Sequence, residues 1–232
     1  MQKIFDITAA GEELRNGSIS PSGLLLKHMK AIDLYQSELN CYVSVDENAA
    51  RKSTIASEKR FLKRMPLSVI DGIPIAIKDN INVQGMATQN GTKLNFPFES
   101  EAEVTKRLRE AGAIILGKLN MDECALGATT NNLHTGRTHN PWKIGYIPGG
   151  SSGGAAAAVA GGLAMAALGT DTLGSVRLPA AYCGLAGLKP TRDMISTKGV
   201  IPLSPTLDHV GLLCRSVRDC ALLLSLLAQN PS

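Results

Sequence analysis

Two glycine-rich segments hold serine hydroxyls that could do chemistry, Gly149–Gly154 (GGSSGG) and Thr170–Arg177 (TDTLGSVR). Glycine allows the tight turns that bring a hydroxyl close to exposed backbone N–H groups. A serine in such a turn can act as a nucleophile, and the neighbouring amides can stabilise an oxyanion. The sequence therefore offers Ser151 and Ser175 as candidate catalytic residues.

Lys78 is a candidate base for these serines. Residues 72–78 (GIPIAIK) form a short apolar run between turn residues, which predicts a buried strand that ends at the lysine. A serine hydroxyl is a poor nucleophile without a base. A lysine can be that base only when burial lowers its pKa and leaves it neutral. The three side chains together indicate a site in which a buried lysine activates serine.

The elements before this strand are predicted to be helical. Ser20 and the proline that follows it are typical of a helix start, and apolar residues then recur at helical spacing. Asp46 can cap a second helix that runs toward Arg64. We therefore predict an N-terminal helical segment over residues 1–65 and a core over residues 66–232, which together form a single domain.

The core alternates apolar runs with helical patterns. The predicted elements are the strand at 72–78, a helix around Leu108, a strand at 113–116, a helix at 155–160, strands at 163–168 and 184–188, and a last helix capped by Ser216 that ends at Leu227. A strand, a helix and a second strand at this spacing indicate an α/β architecture.

Composition excludes several classes of protein. A hydrophobic content of 44% and a charged content of 19% are typical of a globular chain. The net charge of +4 is spread out, and the basic run at 59–64 lies on a predicted helix, which argues against direct binding of nucleic acid. The apolar run at 155–168 is too short to span a membrane. A soluble protein is predicted.

The cysteines indicate a reducing compartment. The chain has five of them, an odd number, and none forms a C-x-x-C pair. This pattern is typical of free thiols in a cytoplasmic protein and disfavours a zinc site. We therefore expect a cytoplasmic location and no metal or cofactor.

The segment from Gly72 to about Val210 resembles the amidase signature family of serine hydrolases. The matching stretches are 72–79 (GIPIAIKD), 117–122 (GKLNMD), 148–154 (PGGSSGG), 169–177 (GTDTLGSVR) and 183–191 (CGLAGLKPT). The resemblance implies a mixed β-sheet covered by helices. It also implies that this sequence corresponds to the N-terminal half of a family member, because members of the family continue well past the position of Ser232.

The resemblance assigns unequal roles to the three candidate side chains. Ser175 resembles the nucleophile, Ser151 resembles the bridging serine that follows a cis peptide bond in that family, and Lys78 resembles the terminal base. Neutral Lys78 would take a proton from Ser151, which would take one from Ser175 as it attacks an amide carbonyl. An acyl-enzyme would form and water would hydrolyse it.

Further positions carry over from the same motifs. The residues expected to contribute backbone N–H groups to the oxyanion, besides the nucleophile itself, are Thr172, Leu173 and Gly174. Asp171 and Arg177 are expected to orient the turn, Ser152 to be a hydrogen-bonding neighbour, and Ala125 to lie on the substrate-facing loop.

Leu173 departs from the family, which usually has glycine at that position. Its amide can still serve an oxyanion if φ is negative, and its side chain would then narrow the acyl pocket.

These features predict an amidase that cleaves the C–N bond of a small carboxamide, alone, as a homodimer or with a partner subunit. One alternative is the transamidating subunit that releases ammonia from glutamine for charged tRNA, because residues 121–123 and 140–142 resemble that branch. Another is a shortened, inactive relative that serves as a binding or assembly partner.

Two other arrangements of the serine loop remain open. Residues 149–153 also fit the G-x-S-x-G nucleophile elbow, with Asp193 and His209 as its partners, but the elbow needs a strand directly before the serine. Prolines and a glycine interrupt that stretch. A phosphate-binding loop is disfavoured, because no Gly-Lys-Ser/Thr follows.

Overall fold

The computed structural model describes residues 6–229. Its helices are α1 (Ile7–Asn16), α2 (Pro21–Leu39), α3 (Glu47–Leu62), α4 (Glu103–Glu110), α5 (Gly153–Ala160), α6 (Arg177–Cys183) and α7 (Val217–Leu227), with a short 3₁₀ turn at Glu123–Ala125. Its strands are β1 (Tyr42–Val45), β2 (Pro74–Lys78), β3 (Ile114–Leu119), β4 (Asn131–Asn132), β5 (Gly136–Arg137), β6 (Ala166–Asp171), β7 (Ala186–Leu188) and β8 (His209–Cys214).

One six-stranded sheet organises these elements, in the order β1-β3-β2-β6-β8-β7. The central strand β2 pairs in parallel with β3 and with β6, and the remaining pairs in this sheet are antiparallel. Apolar clusters pack on the sheet, with residues of α1, α4 and α7 in one and residues of α2 and α5 in the other. The predicted α/β class, with a mixed sheet covered by helices, is confirmed.

Local sequence signals explain the helix boundaries. The Ser20 hydroxyl accepts from the Gly23 amide at the start of α2, and the Asp46 carboxylate accepts from the Ala49 amide at the start of α3. The predicted helix toward Arg64 ends two residues earlier, because Arg64 adopts a positive φ of 55° that a helix cannot contain. No helix among residues 6–229 is long and apolar enough to cross a membrane.

The alanine-rich helix α5 lies beneath the centre of the sheet. Its residues from Gly153 to Val159 are all buried, and they contact β2, β3 and β6. Small side chains let the helix backbone approach the strands closely. This packing fixes the residues just before the helix, which include Ser151, directly beneath the ends of the central strands.

Several strands differ from the sequence-based expectation, and β3 extends to Leu119, beyond the predicted end at 116. The strand predicted at 163–168 occupies Ala166–Asp171, because Leu163 and Ala164 still bond back to the carbonyl of Ala158 at the end of α5. Strands β1, β4, β5 and β8 were not predicted. β1 lies within the segment expected to be helical, where it pairs with β3 at one edge of the sheet.

Candidate active site

Lys78 lies at the centre of the site. It is the last residue of β2, and its side chain is fully buried. Its Nζ lies 2.7 Å from Ser151 Oγ and 2.9 Å from Thr170 Oγ1. Thr170 reaches it because β6 runs parallel to β2, and the carboxyl ends of parallel neighbours meet at the same edge of the sheet. The predicted buried strand that ends at this lysine is confirmed.

Burial determines the protonation of Lys78. Removal from water lowers the pKa of its ammonium group from 10.5 to about 7, although the carboxylates of Asp122, Asp171 and Asp208 act to raise it. At neutral pH a large fraction of the amine is therefore unprotonated. A neutral amine can accept a proton from the hydroxyl it contacts, which is what a base for serine requires.

Ser151 occupies the turn that leads into α5. The peptide bond between Gly150 and Ser151 is cis, as the family resemblance implies for the bridging serine. Ser151 is fully buried, and its carbonyl accepts from the amide of Asp122 at 3.2 Å. The structure therefore brings Lys78 and Ser151 into direct contact, and the Asp122 amide fixes the serine backbone through its carbonyl.

Ser175 lies beside this turn, between β6 and α6. The residue is 8% exposed to solvent, whereas Ser151 is fully buried, so Ser175 is the more accessible of the two candidate serines. Its carbonyl accepts from the amide of Ser152 at 3.2 Å. Within residues 6–229 the structure contains no hydrogen bond between the Oγ atoms of Ser151 and Ser175, so Ser152 provides the link between the two turns.

Ser152 also has a side-chain role. Its hydroxyl donates to the carbonyl of Thr170 at 3.2 Å, next to the strand end that contacts Lys78. The predicted hydrogen-bonding neighbour thus joins the turn of Ser151 to β6.

Asp171 organises the turn that carries Ser175. Its buried carboxylate accepts from the amides of Gly174, Val176 and Arg177 and from the Arg177 guanidinium, at distances of 2.8 to 3.3 Å. Burial alone would raise the pKa of Asp171, but the bonds from Arg177 and these amides outweigh burial and lower it. Asp171 and Arg177 therefore hold the turn.

One predicted oxyanion donor is already engaged. The amide of Gly174 donates to Asp171 Oδ1 at 2.8 Å, which conflicts with its expected role, because one N–H cannot bond two acceptors at full strength. Thr172 is anchored differently, since its hydroxyl donates to Asp208 Oδ1 at 2.5 Å.

The Leu173 side chain extends away from the protein. It is 79% exposed, and its φ lies outside the left-handed region. Leu173 thus meets the condition of a negative φ, under which its amide can serve an oxyanion. The expectation that the Leu173 side chain narrows the acyl pocket remains a prediction.

Ala125 lies in the 3₁₀ turn after β3, with a left-handed φ of 59° and a buried side chain. Its amide donates to the carbonyl of Asp122 at 3.1 Å, so this amide serves the turn itself. The expectation that Ala125 faces substrate remains a prediction.

Sequence reasoning missed three polar residues of the site. Thr170 accepts from Lys78 and also from Asn80 Nδ2 at 3.0 Å, and Asp122 bonds the backbone of Ser151. Thr170 directly precedes Asp171 inside a recognised motif, so the alternation of side chains along a strand could have marked it. Asn80 and Asp122 follow strand ends, where polar side chains of neighbouring strands meet.

The nucleophile elbow does not form around Ser151. No strand directly precedes this serine, and residues 141–150 instead form turns and irregular backbone. Asp193 is exposed and pairs with Arg192, whereas His209 Nδ1 contacts the carbonyl of Leu207. These two residues are thus engaged elsewhere. Among the residues described, no group of three or more His, Cys, Asp or Glu side chains could hold a metal ion.

Fold and site together define an α/β protein in which a buried lysine, on the central strand of a mixed sheet, contacts a serine in a glycine-rich turn. Comparisons with known proteins place the chain more closely. A family model described as Amidase matches residues 24–232. Since the match covers most of the sequence, the chain belongs to the amidase family.

Individual relatives agree with this assignment. The A subunit of the glutamyl-tRNA(Gln) amidotransferase from Clostridium botulinum (strain Okra / Type B1) is 44% identical over 217 residues, which is 93% of this chain and 45% of that protein. A crystal structure of an amidase superposes with a TM-score of 0.93 at 41% identity, over 96% of this chain and 51% of the other.

Peptide amidase from Stenotrophomonas maltophilia superposes with a TM-score of 0.91 at 33% identity, over 98% of this chain and 48% of the other. The chain thus spans about half the length of the proteins that it matches.

Proposed function

We propose that this chain carries the proton-transfer and acylation centre of an amide-cleaving enzyme. The observation that carries the proposal is the 2.7 Å contact between Nζ of Lys78 and Oγ of Ser151, formed in full burial. A lysine with a pKa of about 7 is neutral often enough to act as a base near neutral pH. Ser175, the more accessible serine, is the proposed nucleophile.

The reaction would proceed through an acyl-enzyme. Ser175 Oγ attacks the amide carbonyl as its proton passes to Ser151, whose own proton passes to Lys78. The proton then returns through Ser151 to the leaving nitrogen, the C–N bond breaks, and ammonia or an amine departs. Water attacks the ester and releases the acid. For this relay the two hydroxyls must approach to hydrogen-bond distance when substrate binds, which catalytic contacts commonly do.

Amides of the turn would stabilise the oxyanion. The proposed donors are the N–H groups of Thr172, Leu173 and Ser175, because that of Gly174 already serves Asp171. In one studied enzyme the loss of a single such donor costs about 2.7–4 kcal/mol.

The relatives favour a more specific proposal for the substrate. We infer that the chain forms the amide-cleaving part of the A subunit of a glutamyl-tRNA(Gln) amidotransferase, since curated relatives of that name match it at 42–44% identity. Glutamine would be the amide and ammonia the released product. A partner subunit would bind the charged tRNA, and five free cysteines support a cytoplasmic location.

Hydrolysis of a small carboxamide is the second candidate. It is supported by the superposition on solved amidases, one of which is a peptide amidase. Both candidates share the serine relay and differ in the amide that is bound.

A two-stage experiment tests these proposals. A labelled fluorophosphonate should phosphonylate the wild-type chain at Ser175, with loss of fluoride, and leave Ser175→Ala unmodified. Ammonia release is then measured with glutamine and with simple aliphatic and aromatic carboxamides. Turnover of glutamine alone supports the amidotransferase proposal, and turnover of simple carboxamides supports the second candidate. A wild-type chain that is not labelled would contradict the catalytic proposal and support the inactive, partner-binding alternative.

A further inference from the structure

Asp122 lies against the catalytic turn, and its hydrogen bonds within residues 6–229 go to backbone groups. It follows β3 and is almost completely buried, with 6% of its area exposed. Its amide donates to the carbonyl of Ser151 at 3.2 Å. Asp122 thus binds the backbone carbonyl of Ser151, whereas the Lys78 amine contacts the hydroxyl of the same residue.

The Asp122 carboxylate fills the space between two backbone segments. A Cβ atom added to Gly150 would lie 2.1 Å from Asp122 Oδ2, and one added to Gly127 would lie 2.4 Å from Asp122 Cγ. The same Oδ2 accepts from the amide of Thr129 at 3.3 Å. The carboxylate thus packs directly on the backbone of both segments, which only glycine permits at these two positions.

The charge of Asp122 also reaches the site. Of the three carboxylates that favour the protonated form of Lys78, that of Asp122 has the largest effect, ahead of Asp171 and Asp208. Asp171 is neutralised by its ion pair with Arg177, and Asp208 accepts from Thr172. Asp79, next to the lysine in sequence, pairs with Lys118. Asp122 has no such cationic partner among the described contacts.

We propose that Asp122 is a positioning residue for the reaction, whose carboxylate holds the Gly150–Ser151 turn against the loop at 127–129 and so keeps the Ser151 hydroxyl on Lys78. The inference rests on the proposed function, since it assigns a part in the same proton relay. The charge of this carboxylate has a second consequence, because it opposes the effect of burial on the lysine. Removal of the charge should leave Lys78 neutral down to lower pH.

Two substitutions separate the positioning role of the Asp122 carboxylate from the effect of its charge on Lys78. Asp122→Asn keeps the shape and an oxygen that can accept from Thr129, but removes the charge. Asp122→Ala removes both. We expect a fluorophosphonate to label Asp122→Asn at a rate within a few-fold of the wild-type rate near neutral pH. The acidic limb of the pH–rate profile should shift to lower pH in this variant. We expect Asp122→Ala to label at least about 10-fold more slowly at every pH, since general-base contributions span about 10²–10⁴-fold.

The control is Asp33→Asn, which removes an exposed carboxylate from α2 and should leave both the rate and its pH profile unchanged. Circular dichroism and thermal unfolding establish that each variant is folded. If Asp122→Ala does not fold, the near-isosteric Asp122→Asn still tests the effect of the charge through its pH profile.

A second readout does not depend on turnover. The 13Cε resonance of Lys78, assigned by its loss in Lys78→Met, is titrated in wild type and in Asp122→Asn. A lower midpoint in the variant supports the inference, even if wild type proves unreactive and the proposed function fails. Equal midpoints would overturn the effect of the charge, and an unchanged rate in Asp122→Ala would overturn the positioning role.

Discussion

Lys78 Nζ and Ser151 Oγ lie 2.7 Å apart, although their residues are separated by 73 positions in the chain and both are fully buried. Two unrelated constraints produce this contact. The parallel pairing of β2 with β6 brings the lysine to the edge of the sheet, and the packing of α5 beneath those strands brings the serine to the same place. Because both residues are fully buried, bulk water does not stabilise the charge of the amine.

The two serines should respond differently to substitution. Ser175→Ala should eliminate covalent labelling by a fluorophosphonate, because the proposed acyl-forming oxygen is gone. Ser151→Ala should retain that oxygen and slow labelling by about 10²–10⁴-fold, the range typical of a lost proton-transfer partner. Labelling reactions quenched at set times and analysed by mass spectrometry measure the labelling rates of both variants. If Ser151→Ala were labelled at the wild-type rate, the proposed relay would be wrong.

The burial of Lys78 should make stability depend on pH. Its folded-state pKa of about 7 lies below the unfolded value of 10.5, so the unfolded chain binds the proton more tightly between those values. Within this window the free energy of unfolding contributed by Lys78 rises with pH, by up to about 1.4 kcal/mol per pH unit for one proton.

Lys78→Met should remove this contribution. Denaturant unfolding of wild type and variant is measured across pH 7 to 10, and the two free energies of unfolding are subtracted at each pH. The difference isolates the contribution of Lys78, because the titrations of other groups are common to both proteins. We expect the variant to be relatively more stable at the lower end of the window than at the upper end. A difference that stays constant with pH would contradict a lowered pKa for Lys78.

Labelling and stability should depend on the hydroxyl group of Thr170 and not on the volume of its side chain. Its Oγ1 accepts from Lys78 Nζ at 2.9 Å and from Asn80 Nδ2 at 3.0 Å. Thr170→Val keeps the volume but leaves two buried donors without an acceptor, each at a cost of about 1–3 kcal/mol. Thr170→Ser keeps the acceptor and should remain close to wild type in both labelling and unfolding. Equal behaviour of the two variants would show that the hydroxyl is dispensable.

Much of this arrangement follows from local sequence patterns. Apolar residues between turn residues predicted β2 and its terminal lysine, and capping side chains predicted the starts of α2, α3 and α7. Such signals are local, because a cap or a buried run is determined within a few neighbouring residues. The three catalytic candidates could therefore be named before their positions in space were known.

The missed features depend on contacts between distant segments. β8 (HVGLLC) lacks an alternating pattern, because it pairs with β6 and β7 and is buried over most of its length. Thr170 gains its role only from the pairing of β6 with β2. The engagement of the Gly174 amide by Asp171 was likewise not predictable, because it depends on how the turn folds back on its own first residue.

The Asp171–Arg177 pair should stabilise the turn of Ser175 in a pH-dependent way. Asp171 is fully buried, whereas Arg177 is about half exposed, so the pair lies between the surface and buried cases. Because the folded pKa of Asp171 is lowered below 3.8, its stabilisation is present above that value and is lost as pH falls through the folded pKa.

Asp171→Asn should therefore lower the free energy of unfolding by about 1–3 kcal/mol near neutral pH, an amount between those of exposed and fully buried pairs. The deficit should shrink in acid, where wild type also loses the charge. Glu47→Gln is the matched control, because Glu47 pairs with Arg51 on the exposed face of α3 and should cost only about 0.3–0.5 kcal/mol. Denaturant unfolding at neutral and acidic pH measures both variants. A deficit in Asp171→Asn that is independent of pH would assign the effect to shape and hydrogen bonding, and not to the charge that holds Arg177 on the turn.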